Sequence, residues 1–283
     1  MTYQIILNPF ANRWIAGARQ GEIEAAFQAA GAAYQLMVTN QPGEATAVAR
    51  EAAESGCTAV VAAGGDGTIS EVVNGLIQAA GEGPTAPLGI IPVGSANDFS
   101  LMMGIPGEVE TAVQTILKGN SRPIDAGQIR YGEQVHYFNN NSAAAMEPMV
   151  TLEHIKIQRI KGEMRYYVAL VKALFKLKAW HMRITWDDGV FEGPVFLLSV
   201  CNGPRTGGFM MAPGAEVGDG RLDFVLVPEV SKGTLLKLLV KLMGGTHVEH
   251  PAVTFARTSK LTITSQPGTP LHADGEILGE TET

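Results

Sequence analysis

Short, largely apolar runs punctuate the first part of the chain: Tyr3–Leu7, Tyr34–Val38, Thr58–Ala63 and Leu88–Ile91. Their length and β-branched content predict buried strands of a parallel sheet. Between and after them, Arg19–Ala30, Glu44–Glu54, Ile69–Ala80 and Val109–Leu117 carry apolar residues at helical spacing, as at positions 69, 72, 73, 76 and 77. Strands alternating with helices through short connections predict an α/β unit, a parallel sheet with helices on both faces. The pattern changes near Gly119–Pro123. Strand-like runs at Gln128–Tyr131, Val135–Asn139, Met182–Trp186, Val195–Asn202, Leu222–Val227 and Leu261–Ser265 predict a mainly antiparallel β unit, with turns such as Asp187-Asp188-Gly189 between several of them. Helical stretches at Thr151–Leu177 and Lys232–Met243 interrupt it. The domains expected are therefore 1–122 and 123–283.

The third apolar run leads through Gly64-Gly65-Asp66-Gly67-Thr68 into a helix. Unpartnered N–H groups and the dipole at a helix start favour an anion, and glycine lets backbone approach a phosphate closely. Asp66 would repel a bare phosphate, so its presence argues for a magnesium-bound nucleotide. The plainer alternative is a tight turn in which Asp66 and Thr68 cap the helix. Asn8, Thr39 and a second turn, Gly94–Asp98, fall at the ends of the other three strands. Ligands of such sheets bind beyond the carboxyl ends of the strands, so four separated segments meet on one rim.

Charge and composition narrow the function. A formal charge of −7 disfavours a general nucleic-acid binder. Cys57 and Cys201 lack metal spacing and read as small buried hydrophobes. The chain enters a strand pattern at once, without targeting character, and has no uncharged apolar run of about 18 residues; a cytoplasmic protein without a membrane span is expected. Lys156, Arg159, Lys161, Arg165, Lys172, Lys176 and Lys178 stand against Glu163 in an amphipathic stretch that reads as a solvated face or as a surface for anionic lipid. His247 and His250 sit between Gly244-Gly245 and Pro251 with no third ligand near, and read as surface rather than zinc ligands. The leucine-rich stripe of 235–242 reads as core, or as the wall of a lipid-tail pocket.

Three motifs in order, Gly64-Gly65-Asp66-Gly67-Thr68, Pro92-Val93-Gly94-Ser95-Ala96-Asn97-Asp98-Phe99 and His272-Ala273-Asp274-Gly275-Glu276, make the chain resemble the soluble diacylglycerol-kinase and sphingosine-kinase-like lipid kinases. The resemblance spans nearly the whole chain. It implies a first domain related to those of NAD kinases and phosphofructokinases, and transfer of the ATP γ-phosphoryl group to a lipid hydroxyl, foremost diacylglycerol, giving phosphatidic acid. It implies ATP contacts from Asn8, Pro9, Phe10, Ala11, Asn12, Thr39, Gly64, Gly65, Asp66, Gly67, Thr68, Ile69, Ser70, Glu71, Ser95 and Asn97. Asp66 and Asp98 would hold Mg²⁺, and Asp274 or Glu276 would be the general base, a choice that spacing leaves open. Glu216, Asp219 and the Arg221 carbonyl match a second, structural Mg²⁺ loop of the family, although an Asp-Gly turn explains the same residues. The partners expected are a lipid substrate at a membrane surface, reached peripherally, and a second copy of the chain in a homodimer.

This sequence has Ser70 where the family often has asparagine, Ser95 in place of threonine, and Asn12 in place of glycine. Family members also usually continue beyond the position of Thr283, back to the first domain. Two other functions fit some of these residues: a soluble-acceptor kinase of the NAD-kinase or phosphofructokinase kind, and a catalytically silent regulator that binds lipid or nucleotide.

Overall fold

The structure is a computed structural model that describes residues 2–157, 168, 172 and 176–281. Its internal contacts form two compact units, Met1–Pro123 and Ile124–Thr283.

The first unit runs β1 (Tyr3–Leu7), α1 (Ile15–Ala18), α2 (Gln20–Ala29), β2 (Tyr34–Val38), α3 (Glu44–Glu54), β3 (Ala59–Gly64), α4 (Asp66–Ala80), β4 (Leu88–Pro92), α5 (Asp98–Met102) and α6 (Val109–Leu117). The four strands form one parallel sheet in the order β2-β1-β3-β4. Every residue of the central β3 is buried, as a strand covered on both faces requires. Ile5, Leu7, Val61, Ala63 and Ile91 pack against Ile23 and Phe27 of α2 and Val109 and Val113 of α6. α3 and α4 cover the other face and lie against each other; a Cβ on Gly75 would come within 2.3 Å of the Thr46 carbonyl oxygen.

The second unit continues with β5 (Gly127–Tyr131), β6 (Gln134–Phe138), β7 (Asn141–Ala145), α7 (Met146–Lys156), β8 (Trp180–Trp186), β9 (Gly189–Cys201), β10 (Arg205–Thr206), β11 (Phe209–Met210) and β12 (Leu222–Pro228). It ends with α8 (Lys232–Met243), a 3-10 turn (Thr246–Glu249), β13 (Thr254–Thr258), β14 (Leu261–Gln266), β15 (Pro270–Ala273) and β16 (Glu276–Glu280). Eight strands make one antiparallel sheet organised by the 13-residue β9, whose first half pairs with β8 and whose second half lies between β7 and β12. β9 side chains alternate between two cores. Leu197 and Cys201 join α7 and α8, whereas Leu198 and Val200 join Phe138, Phe224 and Leu271. The α/β unit followed by a mainly antiparallel unit is the architecture expected from sequence.

The predicted helix over Thr151–Leu177 begins earlier, at Met146, and is described as α7 to Lys156. Most of the basic amphipathic stretch beyond it lies outside the described residues. No helix among the described residues is long and apolar enough to cross a membrane.

Candidate active site

The first site is assembled by two glycine turns pressed together. β3 ends at Gly64, and Gly65, in extended conformation, caps α4, so the helix starts at Asp66 rather than at Ile69. A Cβ on Gly94 would lie 2.3 Å from the Gly65 Cα, backbone against backbone, so neither turn has room for a side chain at that contact. The second turn is closed by Asn97, left-handed at φ 54°, whose Oδ1 accepts from the Gly94 N–H and whose Nδ2 donates to the Gly94 carbonyl, both at 3.1 Å. Asparagine tolerates this conformation better than most residues.

Asp66 ties the turns together. Its Oδ1 accepts the Phe99 N–H at 2.9 Å and its Oδ2 the Asp98 N–H at 3.2 Å, so the carboxylate of the first motif caps the helix of the second. The Thr68 hydroxyl accepts from Asn8 Nδ2 at 3.1 Å, which ties the first loop to the start of α4. Burial pushes the Asp66 carboxyl above its ordinary value; the Phe99 N–H opposes this and the neighbouring Asp98 charge adds to it. After two N–H bonds the Asp66 oxygens still have lone pairs to offer. The half-buried Asp66 carboxylate with the buried Asp98 beside it is a hard-oxygen donor set, which fits Mg²⁺.

The first loop reaches the same rim. Asn12 accepts from the Ser95 hydroxyl at 3.3 Å. Asn12, Arg13 and Trp14 follow one another at φ 47°, 59° and 66°, so asparagine here keeps the left-handed backbone that a glycine would adopt freely. Thr39 is buried, its hydroxyl directed to the Leu7 carbonyl at 3.4 Å. Pro9 and Ala11 carry the loop between Asn8 and Asn12, and Phe10 is exposed. Three residues expected at the nucleotide have other employment. Ile69 is wholly buried with its N–H on the Gly65 carbonyl, Ser70 is buried, and the Glu71 carboxylate accepts from Gly43 at 3.0 Å and Ala45 at 3.2 Å, capping α3. Gly67, by contrast, is exposed in the first turn of α4.

The second unit treats its two candidate bases differently. Asp274 and Gly275 turn β15 into β16 with φ of 47° and 83°, the two positive values of a type I′ hairpin. The Asp274 carboxylate accepts the N–H groups of Asn139, Asn140 and Asn141 at 2.8, 2.9 and 3.0 Å. Glu276, two residues on, is exposed and makes no hydrogen bond or ion pair among the described residues; its charge helps burial to raise the Tyr131 hydroxyl pKa. Asp274 is held by three backbone donors, whereas Glu276 has no such partner among the described residues.

Sequence reasoning quoted His272 in a motif but gave no role to it or to the other residues behind this turn. His272 accepts the Gly275 N–H at Nδ1, 3.2 Å away, and its Nε2 lies 3.4 Å from Glu147 Oε2. Glu147 is buried and takes Asn141 Nδ2 at 2.8 Å. Buried polar groups without partners are rare. Here Asn139, Asn140, Glu147, Asn202 and His272 all have side-chain atoms that lack one among the described residues. The run Asn139-Asn140-Asn141 before an alanine-rich segment was the available signal, since three amides in an apolar context need partners.

The expected second metal loop is filled by a guanidinium. Arg257 lies 3.0 Å from Asp219 Oδ2 and 3.4 Å from Asp223 Oδ1, while Asp219 Oδ1 accepts the Arg221 N–H at 3.0 Å. The Gly220 N–H goes to Asp125 at 2.7 Å, and Glu216 is exposed. Arg257 thus supplies to these acids the positive charge that a second Mg²⁺ would bring. The two histidines also separate. His247 is buried, contrary to expectation, with Nε2 3.0 Å from the Met211 carbonyl oxygen, and His250 Nδ1 accepts from Ala252. Both cysteines are free thiols; Cys201 is buried and Cys57 partly so.

A parallel α/β unit carrying two apposed glycine turns, followed by an antiparallel β unit, is the arrangement of a lipid kinase catalytic chain, and the matches to known proteins place it in that class. Residues 2–129 match the diacylglycerol kinase catalytic domain, and residues 143–283 match the family described as YegS C-terminal NAD kinase beta sandwich-like domain. The diacylglycerol kinase of Bacillus subtilis (strain 168) is 31% identical over 279 residues, covering 98% of this chain and 90% of that protein. That of Staphylococcus epidermidis (strain ATCC 12228 / FDA PCI 1200) is 31% identical over 281 residues, covering 98% and 86%. A solved diacylglycerol kinase structure from Bacillus anthracis str. Sterne superposes with a TM-score of 0.77 at 25% identity, covering 99% of this chain and 91% of that one. The chain belongs to the diacylglycerol kinase family and is an ATP-dependent lipid kinase. The soluble-acceptor kinase and the silent regulator are not favoured by these matches.

Proposed function

We propose that this chain phosphorylates diacylglycerol, transferring the γ-phosphoryl group of ATP to its free hydroxyl to give phosphatidic acid. The acceptor oxygen bonds to the γ-phosphorus, the bond to the β-phosphate bridge breaks, ADP leaves, and the hydroxyl proton passes to a carboxylate. Asn8, the Gly65–Thr68 turn and Ser95 position the phosphates, with Gly67 offering exposed backbone. Asp66 and Asp98 hold Mg²⁺, which when bound neutralises phosphate charge as it develops. Glu276 is the base, and Asp274 fixes the turn that presents it.

The observation that carries this reading is the division of labour between two neighbouring acids: Asp274 engaged by three backbone donors, Glu276 exposed and without a hydrogen bond or ion pair among the described residues. The test is steady-state kinetics of Glu276→Gln. Loss of the group that takes the proton lowers kcat by about 10²-fold or more while the KM for ATP stays near the wild-type value. An unchanged kcat would remove Glu276 from the mechanism. The same reading has the enzyme working peripherally at the cytoplasmic face of a membrane, where its acceptor resides. It includes the homodimer, which sedimentation velocity reads as a species of twice the chain mass.

A further inference from the structure

α8 has two apolar faces. Leu235, Leu238 and Leu242 are buried, the latter two in the core formed with Cys201, Phe209 and Val225. On the outside, Leu236, Val240 and Met243 are 64%, 66% and 64% exposed, and their spacing sets them on one line along the helix. A helix on a water-facing surface places polar residues opposite its core face; here large apolar side chains stand there instead. The charge is equally one-sided. Lys232, Lys237 and Lys241 are exposed, and no acidic residue occurs from Lys232 to Met243, in a chain whose formal net charge is −7.

We infer that this outer face of α8 is the surface by which the enzyme docks on an anionic lipid bilayer. Twelve residues span about 18 Å, too short to cross a bilayer, so the helix lies in the interface plane. Leu236, Val240 and Met243 enter the boundary between headgroups and acyl chains, while the lysines extend to lipid phosphates. Charge selects this occupant over a second copy of the chain, since pairing the face with itself brings three lysines against three. The inference rests on the lipid-kinase reading, which requires delivery to a bilayer, and it names the surface that delivers.

The test uses the full chain and vesicles of phosphatidylcholine with or without phosphatidylglycerol. Two variants are compared with wild type, Lys237→Gln/Lys241→Gln and Leu236→Ser/Val240→Ser, all at exposed positions. Turnover of a short-chain diacylglycerol dispersed as monomers is measured in parallel. Wild type is expected to partition onto the anionic vesicles and weakly onto neutral ones. The lysine variant loses about fivefold per lysine in partition, and the apolar variant about tenfold or more, with turnover of the monomeric acceptor unchanged. Wild-type partition by both variants would overturn the proposal. So would unchanged partition with loss of a dimer in sedimentation, which would give the face to a second copy. Failure of the kinase reading registers separately, as absent turnover of the monomeric acceptor by wild type.

Discussion

Replacing Asp274 with asparagine keeps the side chain's size and withdraws one acceptor oxygen. In the native turn Oδ1 accepts from Asn140 and Asn141, and Oδ2 from Asn139. An asparagine that keeps its oxygen at the Oδ1 position turns its NH₂ toward the Asn139 N–H, donor against donor. Those three asparagines are 0%, 4% and 1% exposed, so water does not easily replace the lost acceptor. An unsatisfied buried donor costs about 1–3 kcal/mol, and the remaining two bonds lose their charge assistance. Asp274→Asn should therefore destabilise by about 2–4 kcal/mol, and Asp274→Ala, which strands all three donors, by about 3–6 kcal/mol. With a urea slope of about 2 kcal/mol/M, the asparagine variant's unfolding midpoint falls by about 1 M or more at constant slope. Glu276→Gln, at an exposed position, should stay within about 0.5 kcal/mol of wild type. A wild-type midpoint for Asp274→Asn would refute this structural role and return Asp274 to candidacy as the base.

Gly94→Ala drives a Cβ into the Gly65 backbone and should weaken ATP binding at least about tenfold, with about 1–3 kcal/mol lost from overpacking, read by calorimetric titration and thermal melting. Asp66 has a raised native pKa, so between its ordinary value and that raised one the native state binds more protons and stability falls as pH rises; Asp98→Asn, which removes a charge that raises it, should flatten this slope in unfolding midpoints taken across pH. Arg257→Gln should cost about 1 kcal/mol, the guanidinium being partly solvated, and chelator should leave the wild-type melting temperature unchanged without nucleotide; a drop on chelation would reinstate a metal in the Glu216–Arg221 loop. Asn12→Gly should stabilise by up to about 1 kcal/mol, because the position is left-handed, whereas Asn12→Val should destabilise.

Much of the architecture was legible because burial leaves contiguous or periodic apolar residues. β1, β2, α3, α6 and α8 end where the pattern ends. Other elements were hidden for physical reasons. β7 reads Asn-Ser-Ala-Ala-Ala and is wholly buried, and a central strand of small residues carries no β-branched signal. The first half of β9 contains Gly193 and Pro194, which read as a break although the strand passes through them. α4 begins before its apolar pattern does, since Asp66 and Gly67 form its first turn. At the site, glycine turns and acids were visible as motifs, but their employment was not. The donors that hold Asp274 lie 133–135 positions earlier in the chain, and the Arg257 that fills the acidic loop comes from another strand.

The central claim, that this family member makes phosphatidic acid, is tested most directly by transfer of labelled γ-phosphate from ATP with Mg²⁺ to a panel of lipid hydroxyls in mixed micelles. Label is expected in phosphatidic acid from diacylglycerol, abolished by Asp66→Ala and by Glu276→Gln. Label confined to a sphingoid base or to another lipid, or label that survives both substitutions, would contradict it.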